Sequence, residues 1–342
     1  MTTPIKALSA APAPPATASG SAAAQQHIFP AVGWVPAGPR KSASSRLQCY
    51  LQHEALCAAG ESSVLLRRPR QYSRGLRLSE LPGLLWRIHR SGARTIVFQK
   101  TGRRSAGLLM GLCKMMGRRV IYVECDEPRG LAFAPQVDLF IAPSRRLCDE
   151  ITLQTGRPCL RIHDPVEHWD RDRAALPWQP RPVYRAVWVG NGKNWHQLVA
   201  LRAMLQELGP RAPFEVTAIS DHPEADIRWQ EATVAADISR FDLGVIPVGG
   251  DRWSSFKSEN RATLFMALGL PVVVQDSPLY AATVRHCDTG LVYADAEGLA
   301  ALKPLLYDAP RMTALRHAAL EEAEAFSLPA NLALWRSAIA GA

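Results

Sequence analysis

Residues 241–295 read FDLGVIPVGGDRWSSFKSENRATLFMALGLPVVVQDSPLYAATVRHCDTGLVYAD, and the order of elements in them indicates the fold class. Short apolar runs rich in β-branched residues flank a segment whose apolar residues recur at helical spacing. We therefore predict a strand at residues 241–247, a helix at 260–268 and a strand at 271–274. Gly269 is expected to end the helix, because glycine accommodates the left-handed conformation common after a last turn. Strand, helix and strand in this order indicate a parallel sheet.

The same alternation extends along the chain in both directions. A proline-rich segment at residues 165–184 separates two such runs, and we interpret it as an interdomain linker. The pattern predicts an α/β fold of two Rossmann-like, doubly wound parallel-sheet domains at residues 27–164 and 185–326. Further strands are predicted at residues 31–35, 63–66, 95–99, 119–123 and 137–142, and after the linker at 186–190 and 214–219.

The two ends of the chain are interpreted separately. Residues 1–26 are rich in Ala, Pro, Ser and Thr, so we expect a disordered leader. A secretory signal is the alternative, but a compact apolar run after Lys6 is missing. Residues 327–342 are predicted to form a last helix. No uncharged apolar run reaches the ~18 residues of a membrane span, which favours a cytoplasmic protein.

Cysteine spacing and charge restrict the possible partners. The seven cysteines are scattered and never spaced as CxxC, which predicts reduced thiols and neither a disulfide framework nor a zinc site. Residues 40–119 contain 17 Lys or Arg and three acids, a formal charge of +14, whereas the whole chain carries +9. With so few acids, these cations cannot all be paired within the stretch. Such a basic half attracts phosphates or an anionic membrane surface; an ordinary arginine-rich surface is the alternative.

Two loops are candidates for binding a diphosphate. Lys257, Ser258, Asn260 and Arg261 lie where a helix begins after a strand, so backbone N–H groups and fixed cations meet there. The alternative is a helix cap at Ser258 surrounded by solvated charges. The second loop, with Gly190, Asn191 and Lys193, follows the first strand of the second domain, and its glycines allow close backbone approach or simply a turn.

Residues 241–295 resemble the donor half of GT-B glycosyltransferases related to family four, most specifically around residues 257–274. Those enzymes have a helix reading roughly E-A-M-A-x-G-x-P-V-V, matched here by LFMALGLPVV at 264–273, and a closing strand matched by TGLVY at 289–293. The KSENR run at 257–261 resembles a K-S-x-N-[KR] motif of bacterial envelope glycosyltransferases. Weaker similarities at residues 44–46, 138–144 and 161–166 extend the resemblance over roughly residues 30–340.

The resemblance implies a GT-B fold whose two domains face a cleft, with the last helix crossing back to the first domain. It implies transfer of a sugar from a nucleotide-diphosphate sugar to a cell-envelope glycan or lipid-linked acceptor, on the inner face of the membrane. No cofactor is expected. The implied donor-binding residues are Gly190, Asn191, Lys193, Trp229, Lys257, Ser258, Asn260 and Arg261, and the implied acceptor-binding residues are Ser45, Arg46 and Glu124. Trp229 has a packing role as its alternative.

The chain departs from the family pattern at two positions. Family-four enzymes usually carry two glutamates eight positions apart, which bind the ribose and face the donor sugar. Aligned on the Met266-Ala267 pair, these positions hold Leu264 and Phe256. The ribose contact then falls to Asn260 or Arg261, or is lost. A non-catalytic binding protein and a nucleotide-sugar epimerase on a similar scaffold therefore remain alternatives.

The candidate catalytic residues follow strands of the first domain or lie at its exit. They are Asp126 and His163, for which a helix cap and a structural role are the alternatives. No repeated-acid metal signature surrounds Asp126, so a metal-independent reaction is preferred. Nucleic-acid binding is a distant third class, because no aromatic-basic motif or helix-turn-helix occurs.

Overall fold

Two six-stranded parallel sheets organise the protein in the computed structural model, which describes residues 31–128, 130–249 and 252–341. The proposed leader at residues 1–26 lies outside the described residues. The first sheet has the strand order β2-β1-β3-β4-β5-β6. Its strands are β1 (Val32–Pro36), β2 (Ser63–Leu65), β3 (Thr95–Gln99), β4 (Arg119–Val123), β5 (Leu139–Ala142) and β6 (Cys159–Arg161).

The second sheet has the order β12-β11-β10-β7-β8-β9. Its strands are β7 (Tyr184–Gly190), β8 (Phe214–Ser220), β9 (Ile227–Arg228), β10 (Leu243–Ile246), β11 (Val272–Gln275) and β12 (Leu291–Tyr293). In both sheets the order reverses beside the first strand of the domain, which is the doubly wound pattern. The predicted fold class is therefore confirmed. The sequence pattern missed β6 and β9, because these short strands, Cys-Leu-Arg and Ile-Arg, do not form a continuous apolar run.

Helices cover the sheets and bury their apolar strands. In the first domain these are α1 (Ala43–Ser45), which continues through a π-turn into α2 (Leu51–Ala58), then α3 (Leu81–Ser91), α4 (Arg104–Met115) and α5 (Arg145–Thr155). Gly92 and Gly156 end α3 and α5 in the left-handed conformation, at φ of 65° and 64°. The first helix starts with Ser42 at its N-cap position.

The segment predicted as a linker carries structure of its own. It contains α6 (Arg171–Ala175), and Trp178 is buried with its indole N–H donating to the Leu306 carbonyl at 2.8 Å. Later helices are α7 (Trp195–Leu208), α8 (Val234–Ile238), α9 (Asn260–Ala267), α10 (Ala296–Ala300), α11 (Lys303–Tyr307), α12 (Ala309–Glu324) and α13 (Leu328–Ala340).

The last helix, α13, lies on the first domain. Trp335 packs edge-on against Trp34 of β1, with ring centroids 5.1 Å apart, and both are fully buried. Leu332 and Ile339 belong to the same apolar cluster as the first sheet. This contact ties the end of the chain to the first domain. None of the helices in the described residues is both long and apolar enough to cross a bilayer.

The basic stretch at residues 40–119 has more partners than its own three acids suggest. Acids outside the stretch pair with its cations: Asp126 with Lys100, and Asp138 with Lys114. Within the stretch, Arg67 is buried and lies 3.5 Å from Glu80. Partners from outside the stretch therefore pair with some of its cations, because a parallel sheet aligns each strand end with residues far along the chain.

Candidate active site

The carboxyl ends of the two sheets face each other across a cleft. Loops that follow strands of the first domain contact the segments that follow β9 and β10. Ser144 donates a hydrogen bond to the Phe256 carbonyl at 2.8 Å, and Arg40 lies 3.3 Å from Glu231. Parallel α/β proteins bind ligands at the carboxyl ends of their strands, so this cleft is the candidate active site.

Asp126, a predicted catalytic residue, forms an ion pair with Lys100 at the first-domain side of the cleft. Lys100 directly follows β3, and its φ of 51° is unusual for a residue with a side chain. Burial alone would raise the pKa of Asp126, but Lys100, Arg74 and Lys257 together hold it below its ordinary value. Asp126 is therefore ionised at neutral pH, with 43% of its side chain exposed.

Glu124, predicted to bind the acceptor, lies deeper than Asp126. It is 1% exposed, and its Oε2 atom is buried without a hydrogen-bond partner among the described residues. Burial raises the pKa of Glu124 to about 7, against the attraction of Arg74 and Lys100. Of these two neighbouring carboxyl groups, Asp126 is therefore the exposed and ionised one.

His163, the other predicted catalytic residue, packs at the crossing between the domains. Its ring lies 4.7 Å from the Phe326 ring, and its Nδ1 atom is 3.3 Å from the Asp164 carbonyl oxygen. Burial lowers the pKa of His163. Within the described residues none of these contacts joins the ring to Asp126, so the structure does not bring the two candidates together.

Asp164, which the sequence did not single out, joins the two domains. Its buried carboxylate accepts hydrogen bonds from Gln48 of the first domain and from Ser258 of the second. Burial raises the pKa of Asp164 to about 6, although both hydrogen bonds favour the ionised form. The Ser258 hydroxyl, a predicted donor contact, is therefore engaged in fixing the loop to the first domain.

The loop at residues 257–261 brings two cations to the start of α9. The Lys257 ammonium donates to the Asn194 side chain at 3.3 Å, and Arg261 donates to the Tyr280 hydroxyl at 3.4 Å. The Arg261 Nη1 atom is buried and has no partner among the described residues. Glu259, at the N-cap position, makes no capping bond and pairs instead with Arg161. A plain Ser258 cap is therefore not what this loop contains.

The two positions that lack the family glutamates have apolar environments. Phe256 is 1% exposed and its ring belongs to the core of the first domain, where the Arg146 guanidinium lies 5.3 Å from the ring centroid. Leu264 packs against the core of the second domain. Neither position supplies a carboxylate, and at residue 256 the side chain is turned into the opposite domain.

The second candidate loop, at residues 190–193, has a carboxylate partner already. Asp221 accepts hydrogen bonds from the Gly192 amide at 2.6 Å and from the Asn191 side chain at 3.2 Å. The Lys193 amide is bonded to the Asn191 side-chain oxygen at 3.0 Å. A methyl group on Gly190 would lie 2.2 Å from the Trp188 ring, so this glycine is required by packing.

The remaining predicted residues also have protein partners. Ser45 donates to Gln99 at 3.0 Å and accepts from the Gly38 amide at 3.0 Å. Arg46 forms a two-pronged pair with Glu167, at 2.7 and 2.9 Å. The Arg46 guanidinium also lies 5.5 Å from the centre of the Trp229 ring. Arg46 and Trp229 thus form an interdomain contact.

Some residues of the site that were not predicted from the sequence nevertheless follow a recognisable pattern. Lys100 is a charged residue directly after a buried strand, which is the pattern that singled out Asp126. Asp221 follows β8 in the same way. Gln48 carried no such signal, because it lies in the π-turn of a helix. Among the described residues, no group of three or more His, Cys, Asp or Glu side chains is arranged to hold a metal ion.

Comparisons with known proteins identify the architecture. No protein-family model matches the chain, and no curated protein sequence matches it. Solved structures do: Anabaena HepE in complex with UDP and glucose has 12% identity and a TM-score of 0.63, over 92% of this chain and 100% of that one. A glycosyltransferase from Rickettsia africae has 13% identity and a TM-score of 0.65, over 92% and 99%.

Sucrose-phosphate synthase from Thermosynechococcus elongatus is also similar, with 15% identity and a TM-score of 0.60 over 92% of this chain and 100% of that one. Similarity at this level of identity is informative about architecture alone. The chain therefore has the GT-B arrangement of two Rossmann-like domains that face each other across a cleft.

Proposed function

We propose that the protein is a glycosyltransferase that uses a nucleoside-diphosphate sugar. The observation that carries the proposal is the loop at residues 257–261, where two half-buried cations and a helix start lie opposite an ionised carboxylate. Lys257 is close enough to lower the pKa of Asp126 across the cleft. Cations on one side and a carboxylate on the other match a reaction in which a diphosphate leaves while a hydroxyl attacks.

In this proposal the loop at residues 257–261 holds the diphosphate of the donor. Lys257 and the buried Nη1 atom of Arg261 stabilise the charge that develops as the bond from the sugar to the phosphate breaks. Asn260 and Arg261 add backbone N–H groups at the start of α9. The similarity to a protein whose structures contain UDP and UDP-glucose supports a nucleoside diphosphate as the leaving group.

Asp126 acts on the acceptor in this proposal. Its carboxylate accepts a hydrogen bond from the acceptor hydroxyl and then its proton, while the hydroxyl oxygen forms the new bond to the sugar. Lys100 keeps the carboxylate ionised and oriented. We assign no metal to the reaction, and His163 is assigned the interdomain packing described above in place of proton transfer.

The acceptor is proposed to be a cell-envelope glycan or a lipid-linked molecule at an anionic membrane surface. Two neighbouring helices of the first domain, α3 and α4, expose large apolar side chains: Trp86 at 60%, Leu108 at 52% and Met115 at 84%. Arg87, Arg90, Arg104 and Lys114 are exposed on the same helices. Apolar and basic side chains together favour the surface of an anionic bilayer.

A binding protein without catalytic activity is the second candidate. The observation that favours it is the apolar environment of residues 256 and 264, where family-four enzymes carry glutamates. The only carboxylate in the loop at residues 257–261 is that of Glu259, and Arg161 engages it. The binding protein retains donor affinity and has no turnover.

Two measurements test the proposal. A panel of nucleotide sugars, including UDP-glucose, is screened by thermal shift; a donor at a hundred times its Kd stabilises the fold by ~2.7 kcal/mol. Release of the nucleoside diphosphate is then measured for the wild type and for Asp126→Asn. Donor binding by both, with release by the wild type alone, supports the enzyme. Binding without release supports the binding protein, and no binding by any donor contradicts both.

A further inference from the structure

A cavity of about 400 Å³ lies in the second domain, away from the cleft. It is bordered by the segment between α6 and β7 and by the residues that precede β10. Asp242 directly precedes β10 and Arg185 lies near the start of β7, so the cavity is at the amino ends of the strands. Its lining includes five arginines: Arg173, Arg181, Arg185, Arg240 and Arg316.

Two of these arginines are held in place by backbone carbonyls. Arg316 is 5% exposed and donates to the carbonyls of Gly269, Leu176 and Arg173. Arg173 donates to the carbonyls of Ser239 and Phe241. Burial and the nearby Arg173 charge together lower the pKa of Arg316 to about 10. Among the described residues no carboxylate forms an ion pair with Arg316, and Asp170 offsets the lowered pKa only in part. A buried charge that is incompletely paired is costly, which points to an anion as a further partner.

The carboxylates of the cavity do not balance its cations. Five guanidinium groups face two acids, Asp170 and Asp242. Asp242 is buried and shared, 3.0 Å from Arg181 and 3.6 Å from Arg185. The side chains of Arg181, Arg185 and Arg240 are 52%, 56% and 69% exposed, so they form an exposed rim around the two buried cations.

We propose that this cavity binds a phosphate-bearing ligand at a site separate from the donor cleft. Guanidinium groups recognise phosphate oxygens through paired hydrogen bonds, and several of them on one concave surface fit a ligand with two or more negative charges. Trp178 and Phe241 also line the cavity and give it an apolar wall for the rest of the ligand. The phosphate belongs either to a free metabolite or to a lipid head group.

The experiment titrates inorganic pyrophosphate into the full chain by calorimetry at low salt. The test variant is Arg181→Gln with Arg240→Gln, because both side chains lie on the exposed rim and their loss leaves the carbonyl contacts of Arg173 and Arg316 in place. Arg211→Gln is the matched control; this arginine is 59% exposed and pairs with Glu297 elsewhere on the second domain. Lys257→Ala removes a cation of the donor cleft and so separates the two sites.

We expect the rim variant to weaken one binding event about tenfold or more, while Arg211→Gln leaves it unchanged and Lys257→Ala retains it. Pyrophosphate binding that is equal in the wild type and the rim variant overturns the proposal, as does binding that Lys257→Ala alone abolishes. Co-sedimentation with phosphatidylglycerol and phosphatidylcholine vesicles identifies the source. Loss of phosphatidylglycerol binding in the rim variant indicates a head group, and unchanged vesicle binding indicates a free metabolite.

Discussion

The two candidate phosphate loops look alike in sequence and differ in structure. Each follows a strand of the second sheet and contains a lysine and an asparagine. In the loop at residues 190–193, Asp221 and Asn191 already accept the backbone amides. In the loop at residues 257–261, Arg261 has a buried nitrogen without a partner among the described residues. Available donors, and not a glycine-rich composition, therefore distinguish an anion site from a turn.

The strongest test of this comparison replaces each of the two lysines with alanine, one at a time. Lys257→Ala should weaken donor binding roughly 10- to 100-fold, because a charge-assisted contact to phosphate contributes roughly 1.5–3 kcal/mol. Lys193→Ala is the matched control, since Lys193 is exposed in the other loop. Calorimetry measures the donor dissociation constants of the two variants and of the wild type. A larger loss in the Lys193 variant would reverse the assignment of the two loops.

The attachment of the 257–261 loop to the first domain should depend on pH through Asp164. Its folded-state pKa of about 6 lies above the unfolded value, so ionisation opposes folding. The stability that Asp164 contributes is complete at about pH 4 and is lost as the pH rises through 6. Between pH 4 and pH 7.5 the free energy of unfolding of Asp164→Asn should therefore rise by up to about 3 kcal/mol relative to that of the wild type.

Urea unfolding at both pH values measures this gain. Asp126→Asn is the control with the opposite sign, because the folded-state pKa of Asp126 is lowered and its contribution disappears on acidification. If the stability difference between wild type and Asp164→Asn is the same at both pH values, burial does not raise the pKa of Asp164 as proposed.

The glycine of the other loop should prove to be a packing residue. Gly190→Ala places a methyl group 2.2 Å from the fully buried Trp188 ring and should destabilise the fold by about 1–3 kcal/mol. Gly192→Ala is milder, because its nearest contact is the Asp221 carboxylate at 3.3 Å. Chemical denaturation of both variants gives the comparison, and equal midpoints would contradict the packing role of Gly190.

The smallest effect is expected from Asp221→Asn. If the 190–193 loop does not bind phosphate, removing this carboxylate changes donor affinity by less than about twofold, or ~0.4 kcal/mol. A clear increase in affinity would show that Asp221 was repelling a diphosphate bound beside it. The measurement is the same calorimetric titration, with wild-type protein in parallel.

The sequence was a better guide to the sheets than to the cleft. Strands such as β3 and β4 are buried on both faces and read as continuous apolar runs, so they were predicted to the residue. The acids and bases of the cleft come from strand ends far apart in the chain, and their pairing depends on strand order. Asp126 was found because it follows a strand, but its partner Lys100 depends on the adjacency of β3 and β4.

The partners of charged residues were the hardest to predict. Arg46 was expected at the acceptor, and only the path of the chain out of the first domain reveals Glu167 beside it. His163 was expected in catalysis because it lies where the chain leaves the first domain, and its ring packs on Phe326. In both cases the environment of the side chain depends on a residue 100 or more positions away, which local sequence patterns cannot reveal.

The position of Phe256 has a mechanical consequence. The loop that carries Lys257 is anchored to the first domain on both sides, by the Phe256 ring in that domain's core and by Ser258 on Asp164. A hinge motion that opens the cleft must therefore extract an aromatic ring from an apolar interior, at a cost of ~1.5–3 kcal/mol. By thermodynamic reciprocity, a ligand that needs the closed cleft should also slow the exchange of the amides around β5 and α9.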